Sequence, residues 1–267
     1  MAEFPLISSQ ASSAAGSAGS PVRFIAEAAR ATGVDFDFLM RTAARESNFD
    51  PDARARTSSA SGMFQFIEQT WLAMMSRHGE KHGVADLSKA IDQRSDGRFQ
   101  VTDPAKRDAI LDLRFDAGLS SRLAGELANE NAASLRTALG REPTRGELYA
   151  AHFLGASGAA ELIQAAQSQP GLRADTLFPA AAEANRPIFY EQGRARSVQE
   201  VLDRLVQLEE GAPPRPLEGN VTAPAAPTHA APFQTPVRGP VTGGVLSPAL
   251  VEILASLDVP GGRKDER

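Results

Sequence analysis

Between residues 21 and 211 the apolar positions recur at helical spacing, in runs separated by short breaks, and rarely alternate as strands do. Pro21 stands where a first helix opens, with Ile25, Ala28 and Ala29 on one face, and Gly33 ends it. Asp35 is placed to cap a second helix running to about Ser47. A third follows Phe66, carries Trp71, Leu72 and Met75, and stops by Gly79. Asp103-Pro104 starts a long helical stretch whose apolar contacts are Ile110, Leu111, Leu113 and Phe115. Thr144-x-x-Glu147 and Ser197-x-x-Glu200 are capping boxes, in which the hydroxyl and the carboxylate each satisfy a backbone N–H of the first turn. The first opens a helix carrying Leu148, Ala151 and His152. The second opens one carrying Val201, Leu202, Leu205 and Leu208 that stops at Gly211. The pattern predicts an all-α fold with at most a minor β element within 80–103.

On either side of this region the pattern changes. Residues 1–20 are rich in Ala, Ser and Gly, which bury too little surface to order a chain, and are expected to form a flexible arm. Prolines at 213, 214, 216, 224, 227, 232, 236 and 240 exclude helix and central strand and predict an extended, disordered linker over 212–247. Residues 248–258 return to apolar helical spacing before Pro260 and Gly261-Gly262, so 248–267 is read as a short helix and tail. That helix is a candidate docking segment for a partner protein.

Composition narrows the function classes. With 42% hydrophobic residues in 267, the chain can bury a core. A net charge of −5, from 28 basic and 33 acidic residues, gives no basic stripe and argues against nucleic acid as a partner. The absence of cysteine excludes disulfides, thiolate metal sites and a cysteine nucleophile. The histidines at 78, 82, 152 and 229 form no ligand pattern. His78 and His82 have helical spacing, but Gly79 and Gly83 between and after them argue for a loop, and neither metal nor other cofactor is expected. No apolar run approaches the ~20 residues of a membrane span. Residues 1–20 lack a basic n-region and a sustained apolar h-region and do not read as a secretory signal.

The candidate chemistry lies in residues 35–71. Leu39, Ala43 and Glu46 follow i, i+4, i+7 spacing, so Glu46 continues a buried apolar stripe. Burial disfavours a charged carboxylate, and a carboxyl so placed is suited to hold a proton and donate it. On spacing alone, an ordinary glutamate near a helix end is the better reading. The following residues add a second signal. Glu46-Ser47-Asn48-Phe49-Asp50-Pro51 resembles the E-S-x-F-N-P signature of the soluble lytic transglycosylases, relatives of goose-type lysozyme, and Gly62-Met63-Phe64-Gln65-Phe66 resembles their G-L-M-Q-F motif. Thr70-Trp71 follows at a similar distance, and Ala151-His152-Phe153-Leu154-Gly155 stands where the family has A-Y-N-A-G, with histidine in place of tyrosine. The resemblance covers about 21–77 and extends toward 160.

The resemblance implies a lysozyme-like helical domain that cleaves peptidoglycan in the periplasm or cell envelope. Glu46 would be the single catalytic acid/base, and Ser47, Met63, Phe64, Gln65, His152 and Phe153 would be substrate contacts. It also implies a lyase reaction that ends in a 1,6-anhydro sugar and needs no cofactor. Simpler roles stay open for several of these residues: Met63 and Phe66 as core, Ser47 and Gln65 as caps or loop braces, His152 as a groove-wall support. A hydrolytic muramidase would need a second carboxylate, for which Asp50, Asp52, Asp116 and Glu147 are the candidates by sequence. Asp50 before Pro51 reads as a turn cap, and Glu147 belongs to a capping box. A peptidoglycan-binding assembly protein of an envelope-spanning machine is the alternative from outside the enzymes.

Overall fold

The computed structural model describes residues 20–56 and 58–211. The segments expected as an N-terminal arm, a Pro-rich linker and a docking helix lie outside the described residues, apart from Ser20. Within them the fold is helical, with two small antiparallel hairpins.

The chain begins with α1 (Pro21–Thr32), α2 (Phe36–Ser47) and α3 (Glu68–His78), with a long loop between the last two. Asp35 Oδ1 accepts from the N–H of Phe38 at 2.9 Å and opens α2. After α4 (Ala85–Ser88), strands β1 (Asp92–Gln93) and β2 (Phe99–Gln100) pair as the minor β element expected in that region. The long helical stretch expected from Asp103 is two helices, α5 (Pro104–Asp112) and α6 (Ala117–Leu139), separated by a 3₁₀ turn at Leu113–Phe115. Asp116 causes the break: its Oδ1 accepts from Leu119 N–H at 2.7 Å and starts a new helix there. Both capping boxes form, opening α7 (Arg145–Ser168) and, further on, α11 (Val198–Glu210). Between them lie α8 (Ala174–Leu177), α9 (Pro179–Ala184), α10 (Arg186–Phe189) and a second hairpin of β3 (Tyr190–Glu191) and β4 (Arg194–Ala195). This second hairpin was not expected. Its turn is Gln192-Gly193, both at positive φ (50° and 83°), as a two-residue hairpin turn requires.

The long α6 and α7 pack on each other, α6 also on α1 and α7 also on α11. One core runs through these helices, α2 and α3, with Ile25, Leu39, Trp71, Met75, Leu123, Tyr149, Leu162 and Leu205 fully buried. The Trp71 indole N–H, deep in that core, donates to the Ile110 carbonyl at 2.7 Å, so burying the ring leaves no polar group unpaired. No helix among the described residues is long and apolar enough to cross a membrane.

His78 ends α3 instead of lying in a loop, because the helix continues to it before stopping at Gly79. It and His82 clasp α6. His78 Nε2 lies 2.7 Å from Glu130, and His82 Nε2 lies 2.9 Å from Glu126, which also receives Lys81 at 2.6 Å. No group of His, Cys, Asp and Glu that could hold a metal ion occurs among the described residues. Burial pushes the His82 imidazole below its ordinary range, against the pull of Glu126. Burial alone would push the Glu126 carboxyl up, but the bonds from Lys81 and His82 outweigh it and hold it low. His82 therefore binds its proton less readily folded than unfolded, so it costs stability as pH falls through the histidine range. The Glu126 contribution is full above the ordinary carboxylate range and is lost as pH falls through its lower folded value. Both act in the same direction. Melting temperature is expected to be flat above about pH 7 and to fall on acidification, first through the histidine range and again in the carboxylate range. His82→Gln should remove the first fall, as thermal melts across that pH range would show.

Candidate active site

Glu46 sits in the last turn of α2, on the face that carries Leu39 and Ala43 into the core. Its side chain is 9% exposed and opens into a groove of about 400 Å³. Phe38, Leu39, Phe64, Phe66, Ile67, Leu127 and Phe153 give this groove apolar walls. Gln65, Gln69, Asn131, Ser134 and His152 add polar groups, and the β1–β2 hairpin lies at its edge through Gln93, Arg98 and Phe99. An apolar cleft with a few converging polar groups suits a sugar, which presents apolar ring faces and polar rims. The hairpin is fixed to α3 by the Gln69 amide, which donates to the Phe99 carbonyl at 3.1 Å and accepts from its N–H at 3.0 Å.

Glu46 meets His152 of α7, whose Nε2 lies 3.0 Å from Glu46 Oε1. Oε2 makes no hydrogen bond among the described residues. His152 is thus brought against the carboxyl from a helix about a hundred residues along the chain. Tyr149, one turn earlier on α7, lies nearly parallel beneath the imidazole, with ring centroids 6.1 Å apart and 21° between planes. Just past His152, Gly155 breaks the helix. Its φ of 74° and ψ of 162° are open only to glycine. Gly155 and Ala156 line the groove at this break. Gly155→Ala is expected to cost about 1–3 kcal/mol and to lower activity, because relieving the strain swings the turn bearing His152. Urea unfolding and activity measured on one preparation would check both.

The loop from 48 to 67 builds the opposite wall. Asn48 and Phe49 turn out of α2 in the left-handed region (φ 54° and 65°), and Phe49 N–H reaches back to the Ala43 carbonyl. The loop then folds on itself through Gly62 N–H to Ala53 O at 2.8 Å and a Ser61–Phe66 pair bonded both ways at 3.1 Å. Gln65 has φ 47°, an unusual value for a residue with a side chain, and strain of this kind gathers at functional sites. Its Nε2 donates to the carbonyls of Gly62 (2.8 Å) and Ala53 (3.2 Å), while Oε1 has no protein donor among the described residues.

Among the residues expected at the site, Glu46, Phe64, Gln65, His152 and Phe153 line the groove, whereas Ser47 and Met63 lie behind it. The Ser47 hydroxyl donates to the Met63 carbonyl at 2.8 Å and so braces the loop onto α2, and the Met63 side chain is fully buried in the core. The carboxylates considered as second catalytic groups are used elsewhere or lie off the groove. Asp50 accepts from Asp52 N–H, Asp116 caps α6, and Glu147 receives the Thr144 N–H and Arg141. Asp52 is exposed outside the groove. Glu130 is the other carboxylate that lines the groove among the described residues, and Arg77 and His78 occupy both its oxygens at 2.7–2.8 Å.

Sequence reasoning missed Arg114. Its buried guanidinium donates to the carbonyls of Leu111 (2.9 Å), Ser59 (2.6 Å) and Phe66 (3.3 Å), and so ties the loop to the turn before α6. It has no carboxylate partner among the described residues, and burial holds it below the ordinary arginine range. A lone arginine in a 3₁₀ turn carries no sequence signal of that role. Residues 23–93 match the family model described as Transglycosylase SLT domain, a span that includes Glu46 and the loop but ends before α6 and α7.

Proposed function

We propose that the chain, whose residues 23–93 match the Transglycosylase SLT domain, acts as a soluble lytic transglycosylase and cleaves the β-1,4 bond between N-acetylmuramic acid and N-acetylglucosamine in peptidoglycan with Glu46 as its single acid/base. The observation that carries this reading is a groove in which one carboxyl keeps an oxygen without a hydrogen-bond partner among the described residues. Glu46 Oε2 lacks a partner among the described residues, while both oxygens of Glu130 are engaged by Arg77 and His78. A hydrolase that activates water on the far side of the sugar needs a second free carboxylate, and the groove offers none among the described residues.

In the proposed reaction the Glu46 carboxyl gives its proton to the glycosidic oxygen as the bond to C1 of the muramic acid breaks, and the N-acetylglucosamine portion leaves as an alcohol. The substrate's own acetamido oxygen stabilises the positive charge at C1. The Glu46 carboxylate then takes the proton from the C6 hydroxyl, whose oxygen closes on C1 to form the 1,6-anhydro ring. Glu46 ends as it began, and no water is consumed. His152 holds Oε1 and so fixes the carboxyl's plane, leaving Oε2 for the substrate. Gln65 Oε1, without a donor among the described residues, can accept from an acetamido N–H, and Phe64 and Phe153 offer apolar faces to the sugar rings. Such a substrate places the protein's action in the periplasm or cell envelope.

The test is incubation of the full-length protein with purified sacculi. The reading expects soluble muropeptides to accumulate and the suspension to clear. Tight binding to sacculi without release would instead favour an assembly protein that grips peptidoglycan.

A further inference from the structure

Behind the Glu46–His152 pair lies a second, buried set of polar groups that the proposed chemistry does not use. Arg45 precedes Glu46 on α2 but points away from the groove. Its guanidinium lies 4.1 Å from the centre of the Tyr149 ring, and its Nη2 donates to Leu208 O at 2.7 Å and to Glu209 Oε2 at 3.4 Å, both on α11. Tyr149 and Glu209 are almost wholly buried, and Arg45 nearly so. Arg41 holds the same end of α11 through the carbonyls of Glu209 and Gly211, and Arg145 is paired with Asp35. Burial pushes the Glu209 carboxyl up, against the pull of Arg45. Three buried polar atoms in this cluster, Arg45 Nη1, Tyr149 Oη and Glu209 Oε1, have no hydrogen-bond partner among the described residues.

A buried ion pair with unpaired atoms is a poor stabilising device, since desolvation offsets most of its attraction and each unpaired atom adds a cost. Its geometry does something else. Glu209 holds Arg45, Arg45 lies on the Tyr149 ring, Tyr149 lies under His152, and His152 holds Glu46. We infer that Arg45 and Glu209 are positioning residues of the catalytic centre, which act through Tyr149 to keep His152 Nε2 on the Glu46 carboxyl. Helix α11, far outside the span matched by the family, is therefore part of the foundation of the site. The inference rests on the reading of Glu46 as the acid/base.

The experiment uses full-length Arg45→Met/Glu209→Leu, with Glu209→Gln as the milder variant should the double substitution fail to fold. Apolar replacement of the pair is expected to leave the melting temperature at or above that of the native protein. It should still lower kcat on solubilised glycan strands by about tenfold with little change in KM. In a His152→Gln background the same replacement should cost nothing further, because the residue through which the pair acts is gone. NMR signals of the His152 ring, identified by their loss in His152→Gln, should move in both Arg45/Glu209 variants and stay put in Glu142→Gln, which breaks an exposed pair with Arg136. Losses that add fully to that of His152→Gln, or unmoved His152 signals, would overturn the inference. If the native protein released no muropeptides, the proposed function would fall, and the His152 signals would still decide whether the pair positions the ring.

Discussion

Glu46→Gln is expected to reduce muropeptide release by about a thousand-fold while leaving thermal unfolding unchanged. Glutamine has nearly the same shape, fits the same largely buried position and can still bond His152 across the 3.0 Å contact. What it cannot do is give up or take a proton at the pH of the assay. General acid–base assistance is worth about 10²–10⁴-fold, and the proposed reaction draws both roles from Glu46, so a loss of about a thousand-fold, in the middle of that range, is expected. Initial rates of release from sacculi, with circular-dichroism melts on the same samples, check it. A rate within a few-fold of native would remove Glu46 from the chemistry.

The second large effect is expected at Gly62. At φ +79° an L side chain is strained wherever it stands, and at this position a Cβ would also collide with the carbonyl oxygen and carbon of Arg114. Backbone on one side and a tied loop on the other leave little room to yield. Gly62→Ala is therefore expected to cost about 3 kcal/mol or more, or roughly 10 °C in melting temperature for a domain of this size. Activity should fall further than stability explains, because the displaced loop carries Phe64 and Gln65. Gly33→Ala is the control. Its φ is +77°, but a Cβ there meets nothing within 4 Å, and it should cost only about 1 kcal/mol with activity intact. Equal effects at the two glycines would mean that the contact with Arg114 does not hold the loop.

These two positions also mark how far the sequence could be read. Local rules placed Pro21, Asp35, Asp103, Thr144 and Ser197 at helix starts, since a cap or a first-turn proline depends on neighbours within four residues. The stripe of Leu39, Ala43 and Glu46 pointed into the core for the same reason. Reading failed where a residue's role is set across the fold. Asp116 split an expected helix because its side chain could satisfy a new first turn. The motif left Ser47 and Met63 open between substrate contact and loop brace or core, and only the packing decides, turning one onto a loop carbonyl and the other into the core. Arg114, Arg45 and Glu209 were invisible because their partners come from other elements, 55 residues away for Arg114 and Ser59 and 164 for Arg45 and Glu209. His152 was legible as a departure from a family pattern, whereas its contact with Glu46 required α7 and α2 to be brought together.

The claim on which the rest depends is that one carboxyl, Glu46, both breaks the glycosidic bond and closes the anhydro ring. Mass spectrometry of the muropeptides released from purified sacculi, with native protein and Glu46→Gln side by side, tests it most directly. The account predicts 1,6-anhydro-muramyl ends, one water lighter than hydrolysed ends, from the native protein and almost none from the variant. Reducing ends one water heavier, or the same products from Glu46→Gln, would contradict it.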